Sequence, residues 1–445
     1  MTIGISGNTR VGRTLRSAAM GDAAPIRRIL FAAMLAMSAV NPVQAQDVSL
    51  GSDVQGLLTF ARQQSPELRA MREEAEAAAQ RVTPAGALND PVLRVELMNV
   101  NNYGRDAAPS LLPSKVGETK YTLMQQLPLW GKRELKRDAA AADALQAEAR
   151  AIAVWAELAA RIKATHAESF RAAGNERLAK EQLGLMTRIE QVAQVRYASG
   201  LAPQADAIRA QLEQTAMRSE LIMLDSEKRQ INARLNALLA RDSSAPLADA
   251  VTLRVLPTLS TADASALAER ARSTNPQIQA ELARVAVAQK TRDLAQRNRY
   301  PDLTVGISPS QMGSRITTWG VMVEMNIPLQ KEARRGEQRE ADAMAAAARS
   351  KVEALQLQLV GDLAANIAGL EASHRNEQLL TTQLLPQSEL GFRSALAAYE
   401  SGRTEFSMVI EAQRQIRKAR QEILKSQVEA QMRLAEIERI VGEDL

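Results

Sequence analysis

The chain has 445 residues, 24% of them charged and only 3% aromatic, with a formal net charge of +5 and no cysteine. The missing cysteine excludes a disulfide framework and any thiolate metal site. Five Arg and one Asp fall within Met1–Ala45, so of 56 basic and 51 acidic residues the remainder keeps 51 and 50, and such a neutral body gives no electrostatic case for nucleic acid.

Met1–Ala45 reads as a signal peptide. Arg27-Arg28 precede the apolar run Ile29–Val40, and Val43-Gln44-Ala45 is a small-residue cleavage site. The run is too short to cross a bilayer, and Met20 is an alternative start. From there the chain states one plan twice. A first repeat occupies 46–246 and a second 263–445, with an insertion between them at 247–262 held by Pro246 and Pro257. Gln64-Ser65-Pro66-Glu67 opens a helix leading to Asn89-Asp90-Pro91, and Thr274-Asn275-Pro276-Gln277 opens its counterpart leading to Arg299-Tyr300-Pro301. Self-similarity on this scale marks one structural unit used twice, neither copy able to close a core alone.

A β-hairpin is expected over about 91–128. Leu93, Val95 and Leu97 alternate with Arg94 and Glu96, and Tyr121, Leu123 and Leu127 alternate with Lys120, Thr122 and Gln126. Its counterpart, about 301–328, is cleaner. Leu303, Val305 and Ile307 alternate over Asp302–Ser308, and Trp319, Val321, Val323, Met325 and Ile327 over Thr318–Pro328. Such segments fit a transmembrane β-barrel, with Trp130, Tyr300 and Trp319 near strand ends as interfacial aromatics. The alternative is a pair of hairpins resting on a helical core. Four strands cannot close a barrel, and lipid forbids an open edge, so membrane-spanning strands require oligomerisation.

Each hairpin runs into a long helix. Lys132 to Ser199 contains no proline, and at ~1.5 Å per residue such a rod reaches about 100 Å. That length demands coiled-coil-like packing. The return helix from Gln204 carries Ile208, Leu212, Leu221, Leu224, Ile231, Leu235, Leu238 and Leu239 at helical spacing. The second rod starts at Lys331, with Pro386 as a kink or break, and returns to Gly442. The tips fall near 200 and 402, at Tyr197-Ala198-Ser199-Gly200 and Tyr399-Glu400-Ser401-Gly402.

These residues resemble the TolC family of outer-membrane channel proteins, over essentially all of Gln46–Leu445. The resemblance implies a homotrimer with a twelve-stranded barrel in outer-membrane lipid of a Gram-negative bacterium, and an α-helical tunnel in the periplasm. It also implies a periplasmic adaptor and an inner-membrane pump, of the resistance-nodulation-division type, as partners. Gln126-Leu127-Pro128-Leu129-Trp130-Gly131-Lys132-Arg133 and Tyr197-Ala198-Ser199-Gly200-Leu201-Ala202-Pro203 look like the heavy-metal efflux branch. Divalent metal cations are then the expected cargo, with organic molecules as the alternative. Lys132, Arg133, Lys136 and Arg137 sit at a helix N-terminus, where the dipole favours anions. Either carboxylates on a neighbouring helix or solvent must receive them.

By the same resemblance, the tips close the tunnel and meet the adaptor. Gly200, Leu201, Gly402 and Arg403 match the adaptor-contact turns. Asp206 matches a tip carboxylate, Tyr399 a gate tyrosine and Glu411 a gate carboxylate. Met408 stands where an acidic residue is often found, and Arg403 lies one place before the usual arginine, now Thr404. A ring of carboxylates at such a gate would favour cations.

Enzyme chemistry is not expected. There is no phosphate-binding Gly loop, nucleophile elbow or supported carboxylate pair, and neither a cofactor nor a metal site. Glu371-x-x-His374 has metal-ligand spacing, but helix-bundle sites draw ligands from several helices, so an exposed helix histidine is the expectation. The competing function is a periplasmic coiled-coil adaptor or scaffold. Adaptors carry one helical hairpin between Gly-rich β-domains, whereas this chain has two hairpins with strands at the opposite ends of the rods.

Overall fold

The structure, a computed structural model, describes residues 50–100 and 109–445. The expected signal peptide lies outside them. The first repeat comprises α1 (Val54–Gln64), α2 (Pro66–Gln80), α3 (Val82–Gly86), β1 (Val92–Met98), β2 (Glu118–Leu127), α4 (Lys132–Ala198) and α5 (Gln204–Leu238). The second comprises α6 (Ala264–Thr274), α7 (Pro276–Arg297), β3 (Leu303–Met312), β4 (Arg315–Met325), α8 (Lys331–Leu379), α9 (Leu385–Glu400) and α10 (Phe406–Val441).

Matching residues start matching helices. Ser65 Oγ accepts from the Leu68 N–H at 3.3 Å and Asn275 Oδ1 from the Ile278 N–H at 2.9 Å. Each is an N-cap followed by Pro66 or Pro276 at the first helical position, where a missing N–H costs nothing. Asn275 also donates to the Ile440 carbonyl at 2.7 Å, tying α7 to the end of α10.

The 67-residue helix α4 is the spine. Its N-terminal part packs on α2, α3 and α7, and its C-terminal part on α5 and α10, while α8 and α9 pack on α10. One apolar core per repeat sits at mid-height: Leu57, Ile162, Leu235 and Leu239 in the first, Ile278, Leu363, Ile367 and Ile437 in the second. The connecting segment 245–260 has no helix or strand and lies as a strap between them. Ala248 N–H donates to the Leu50 carbonyl at 2.9 Å, and Arg254 pairs with Glu438 at 2.7 Å. Glu438 also pairs with Lys163 at 2.8 Å, both side chains buried, so each of these charges is compensated.

All four strands form one antiparallel sheet in the order β1-β2-β3-β4, the middle pairing joining the two repeats. β3 runs four residues beyond Ser308, where the alternating pattern stops at Pro309. The proline is accommodated by a gap of two pairs, since the β2–β3 register passes from Lys120↔Ser310 to Leu123↔Ile307, proline having no N–H to give. The turn is correspondingly tight, with Gly313 at φ 61° between Met312 and Arg315. Trp319 therefore lies inside β4 rather than at its end. Pro386 does not break the second rod either. A π-helical turn, Leu380–Leu384, joins α8 to α9 just before it and absorbs the missing backbone donor.

Candidate functional site

The two helical tips share one geometry. In the first, Gly200 N–H donates to the Tyr197 carbonyl at 2.9 Å and Leu201 N–H to the Arg196 carbonyl at 2.8 Å; in the second, Gly402 and Arg403 repeat this onto Tyr399 and Ala398 at the same distances. Gly200 and Gly402 have φ of 68° and 73°. This is the Schellman arrangement, whose left-handed residue glycine adopts without steric cost.

The tips pack on one another around Met186, Ile189, Ala193, Ala207, Ala210, Phe406, Val409 and Ile410. Tyr399 is 3% exposed and Asp206 6%. Tyr399 Oη donates to Asp206 Oδ2 at 3.2 Å, and its ring meets Phe406 edge-on at 5.3 Å. Burial, and then the Asp206 charge, push the tyrosine pKa up to about 12, so at neutral pH it is a hydrogen donor. Asp206 lies in the first turn of α5, where the helix dipole favours a carboxylate.

The structure thus brings Asp206 and Tyr399 together and turns both inward. Leu201, Gly402, Arg403, Met408 and Glu411 stay exposed around them, and Arg403 Nε donates to Ser401 Oγ at 3.0 Å. Arg196 was not singled out by the sequence, yet it bridges the tips. It donates to the Glu400 carbonyl at 2.6 Å and the Leu201 carbonyl at 3.3 Å. Its only sequence signal is a cation in the last turn of a helix.

At the other end of the rods the sheet is inverted relative to a soluble protein. Thr122, Ser308 and Ser310 are buried. The opposite face carries exposed Leu93, Val95, Leu123, Ile307, Val321 and Val323, with Val321 82% exposed. The polar face is the crowded one, since a Cβ on Gly320 would come within 2.7 Å of Ser308 Oγ. Exposed apolar side chains continue at alternate positions from Trp319 to Leu329. At ~3.3 Å per residue and a barrel tilt of about 40°, the 11 residues of β4 span roughly 25 Å of height, the thickness of an outer-membrane apolar band.

Beneath the strands, Trp130 stacks on Tyr300 at 5.0 Å and donates to the Pro301 carbonyl at 3.0 Å. The basic residues opening α4 divide their roles. Lys132 is buried against Asp302 at 2.8 Å, Arg133 donates to the Gly86 carbonyl at 2.8 Å, and Lys136 is exposed.

Among the described residues no His/Cys/Asp/Glu cluster fits a metal ion, and no helix is long and apolar enough to cross a membrane. His374 is exposed, but His166 is buried. Burial lowers the His166 pKa from its ordinary 6.5, and its Nε2 has no hydrogen-bond partner in the structure.

The family model described as outer membrane efflux protein matches residues 57–241 and 267–443. The cobalt-zinc-cadmium resistance protein CzcC of Cupriavidus metallidurans is 24% identical over 320 residues, covering 71% of this chain and 75% of that protein. The outer membrane protein VceC of Vibrio cholerae superposes with a TM-score of 0.74 at 18% identity, over 88% of this chain and 96% of that one. CusC, solved in a study of transmembrane channel formation, gives 0.75 at 17% identity, over 88% and 92%.

Proposed function

We propose, from the premise that this chain belongs to the outer membrane efflux protein family, that it is the exit duct of a tripartite efflux pump. Three copies contribute four strands each to one barrel, and their rods line a tunnel through the periplasm. The observation that carries this reading is the unclosed sheet. Among the described residues β1 and β4 are paired on one side only, and their outward face is apolar. In lipid each unpaired backbone group would cost several kcal/mol, and closure by further copies removes both edges.

The duct is passive. An inner-membrane pump, reached through a periplasmic adaptor that docks on the exposed Gly200-Leu201 and Gly402-Arg403 turns, supplies the energy. The Tyr399–Asp206 contact holds the second tip against the first in the closed state, and exposed Arg403 and Glu411 face the threefold axis. The cargo is divalent metal cations, a reading supported by the likeness to a cobalt-zinc-cadmium resistance protein. Deleting the gene and scoring growth on cobalt, zinc and cadmium salts tests the cargo. Unchanged tolerance to all three would overturn it. Fractionation tests the duct itself: recovery as a soluble periplasmic protein would refute it.

A further inference from the structure

We propose that Arg196 is a positioning residue that clamps the tip of the second rod to the tip of the first and so sets the closed state. The proposal rests on the gate reading above. It follows from what one side chain touches. Its guanidinium donates to the carbonyl of Leu201 in its own turn at 3.3 Å and to that of Glu400, in the other rod, at 2.6 Å. Its Cζ lies 5.1 Å from the centre of the Tyr399 ring.

Two helices, α4 and α9, end at this point, so two negative dipole ends converge and a cation is favoured there. A planar guanidinium can bridge two carbonyls while lying on an aromatic face, which an ammonium cannot reproduce. Tyr399 is thereby held from both sides by the first repeat, with Arg196 over its ring and Asp206 at its hydroxyl. The repeat is asymmetric at both places. Ala398 stands where the second tip would carry its own arginine, and Met408 where it would carry its own aspartate. Both grips belong to the first hairpin, and the gripped ring to the second.

The rods differ in the same sense. α4 is a continuous α-helix to its last turn, whereas α9 hangs from the π-helical turn Leu380–Leu384 next to Pro386, the two features at which long helices bend. A swing of α9 about that turn would first withdraw the Glu400 carbonyl and the Tyr399 ring from Arg196.

Single-channel recording of purified trimers in planar bilayers tests this, comparing Arg196→Ala, Arg196→Lys, Tyr399→Phe and the Arg196→Ala/Tyr399→Phe double variant. Migration of unheated samples confirms assembly, and Arg196→Lys, which keeps charge and bulk, carries the test if the alanine variant does not assemble. Time-averaged conductance is expected to rise roughly tenfold in both Arg196 variants, and the double variant should exceed Tyr399→Phe by less than the product of the single effects. Wild-type conductance in Arg196→Lys would overturn the clamp, because charge alone would then suffice. So would multiplicative effects in the double variant. If Tyr399→Phe raises conductance and the Arg196 variants do not, the gate reading stands and the clamp falls. If none of the four changes conductance, the gate reading falls and takes the clamp with it.

Discussion

Val323→Lys separates a lipid-facing sheet from one that rests on a helical core. Val323 is 66% exposed on the apolar face of β4, within the run from Trp319 to Leu329, inside the band that the proposed barrel places in hydrocarbon. A lysine there should cost about 2–4 kcal/mol per chain, and nearer 0–1 kcal/mol at the ends of the run, as for Leu329→Lys. In a trimer the Val323→Lys cost is incurred three times. If the same face met water, a lysine at so exposed a position would change stability by no more than about 0.5 kcal/mol. The assay is the denaturant midpoint of trimers reconstituted in phospholipid vesicles, read by the migration of unheated samples, with Lys120→Gln on the opposite face as a control expected to stay near wild type. Equal midpoints for Val323→Lys, Leu329→Lys and wild type would refute the assignment of this face to lipid.

Other consequences concern the tips and rods. Tyr399→Phe leaves the Asp206 carboxylate buried without its donor, a loss of about 1.5–3 kcal/mol for a bond to a charged group; bilayer recordings should show the ratio of closed to open states fall roughly 10- to 150-fold. Gly200→Ala meets no atom within 4 Å, so its cost is conformational alone, about 1–2 kcal/mol from the left-handed backbone, and should appear as a lower thermal midpoint with normal assembly. Glu190 accepts from Gln211 and Gln214 on α5, and those bonds hold its pKa below the ordinary 4.5. Its contribution is therefore present above that value and lost as pH falls through the depressed one. Melting temperature should fall less steeply with acidification below pH 4.5 in Glu190→Gln than in wild type.

What the sequence made legible was local. Ser65-Pro66 and Asn275-Pro276 announce helix starts because cap and proline act within one turn. Gly200 and Gly402 announce tips because the left-handed residue has few substitutes. The outward stripe of β4 was readable because alternation is a property of neighbours in the chain. Pairing across the fold was not. Pro309 cut the strand pattern short, since only the sheet shows which pairs can be dropped. Pro386 left a kink and a break equally open because a π-helical turn leaves no compositional mark. The inward turn of Asp206 on α5, and the burial of His166 and the reach of Arg196 to Glu400 on α4, depend on which distant segments pack against these helices, which no spacing within either helix contains.

The central claim is that one chain cannot complete its own barrel. The molar mass of the unheated particle extracted from outer membranes, measured by light scattering with the detergent contribution subtracted, tests it most directly. A mass of three chains, with strands β1 and β4 joined between neighbours, is the result expected. A monodisperse single chain that still conducts ions in a bilayer would contradict it.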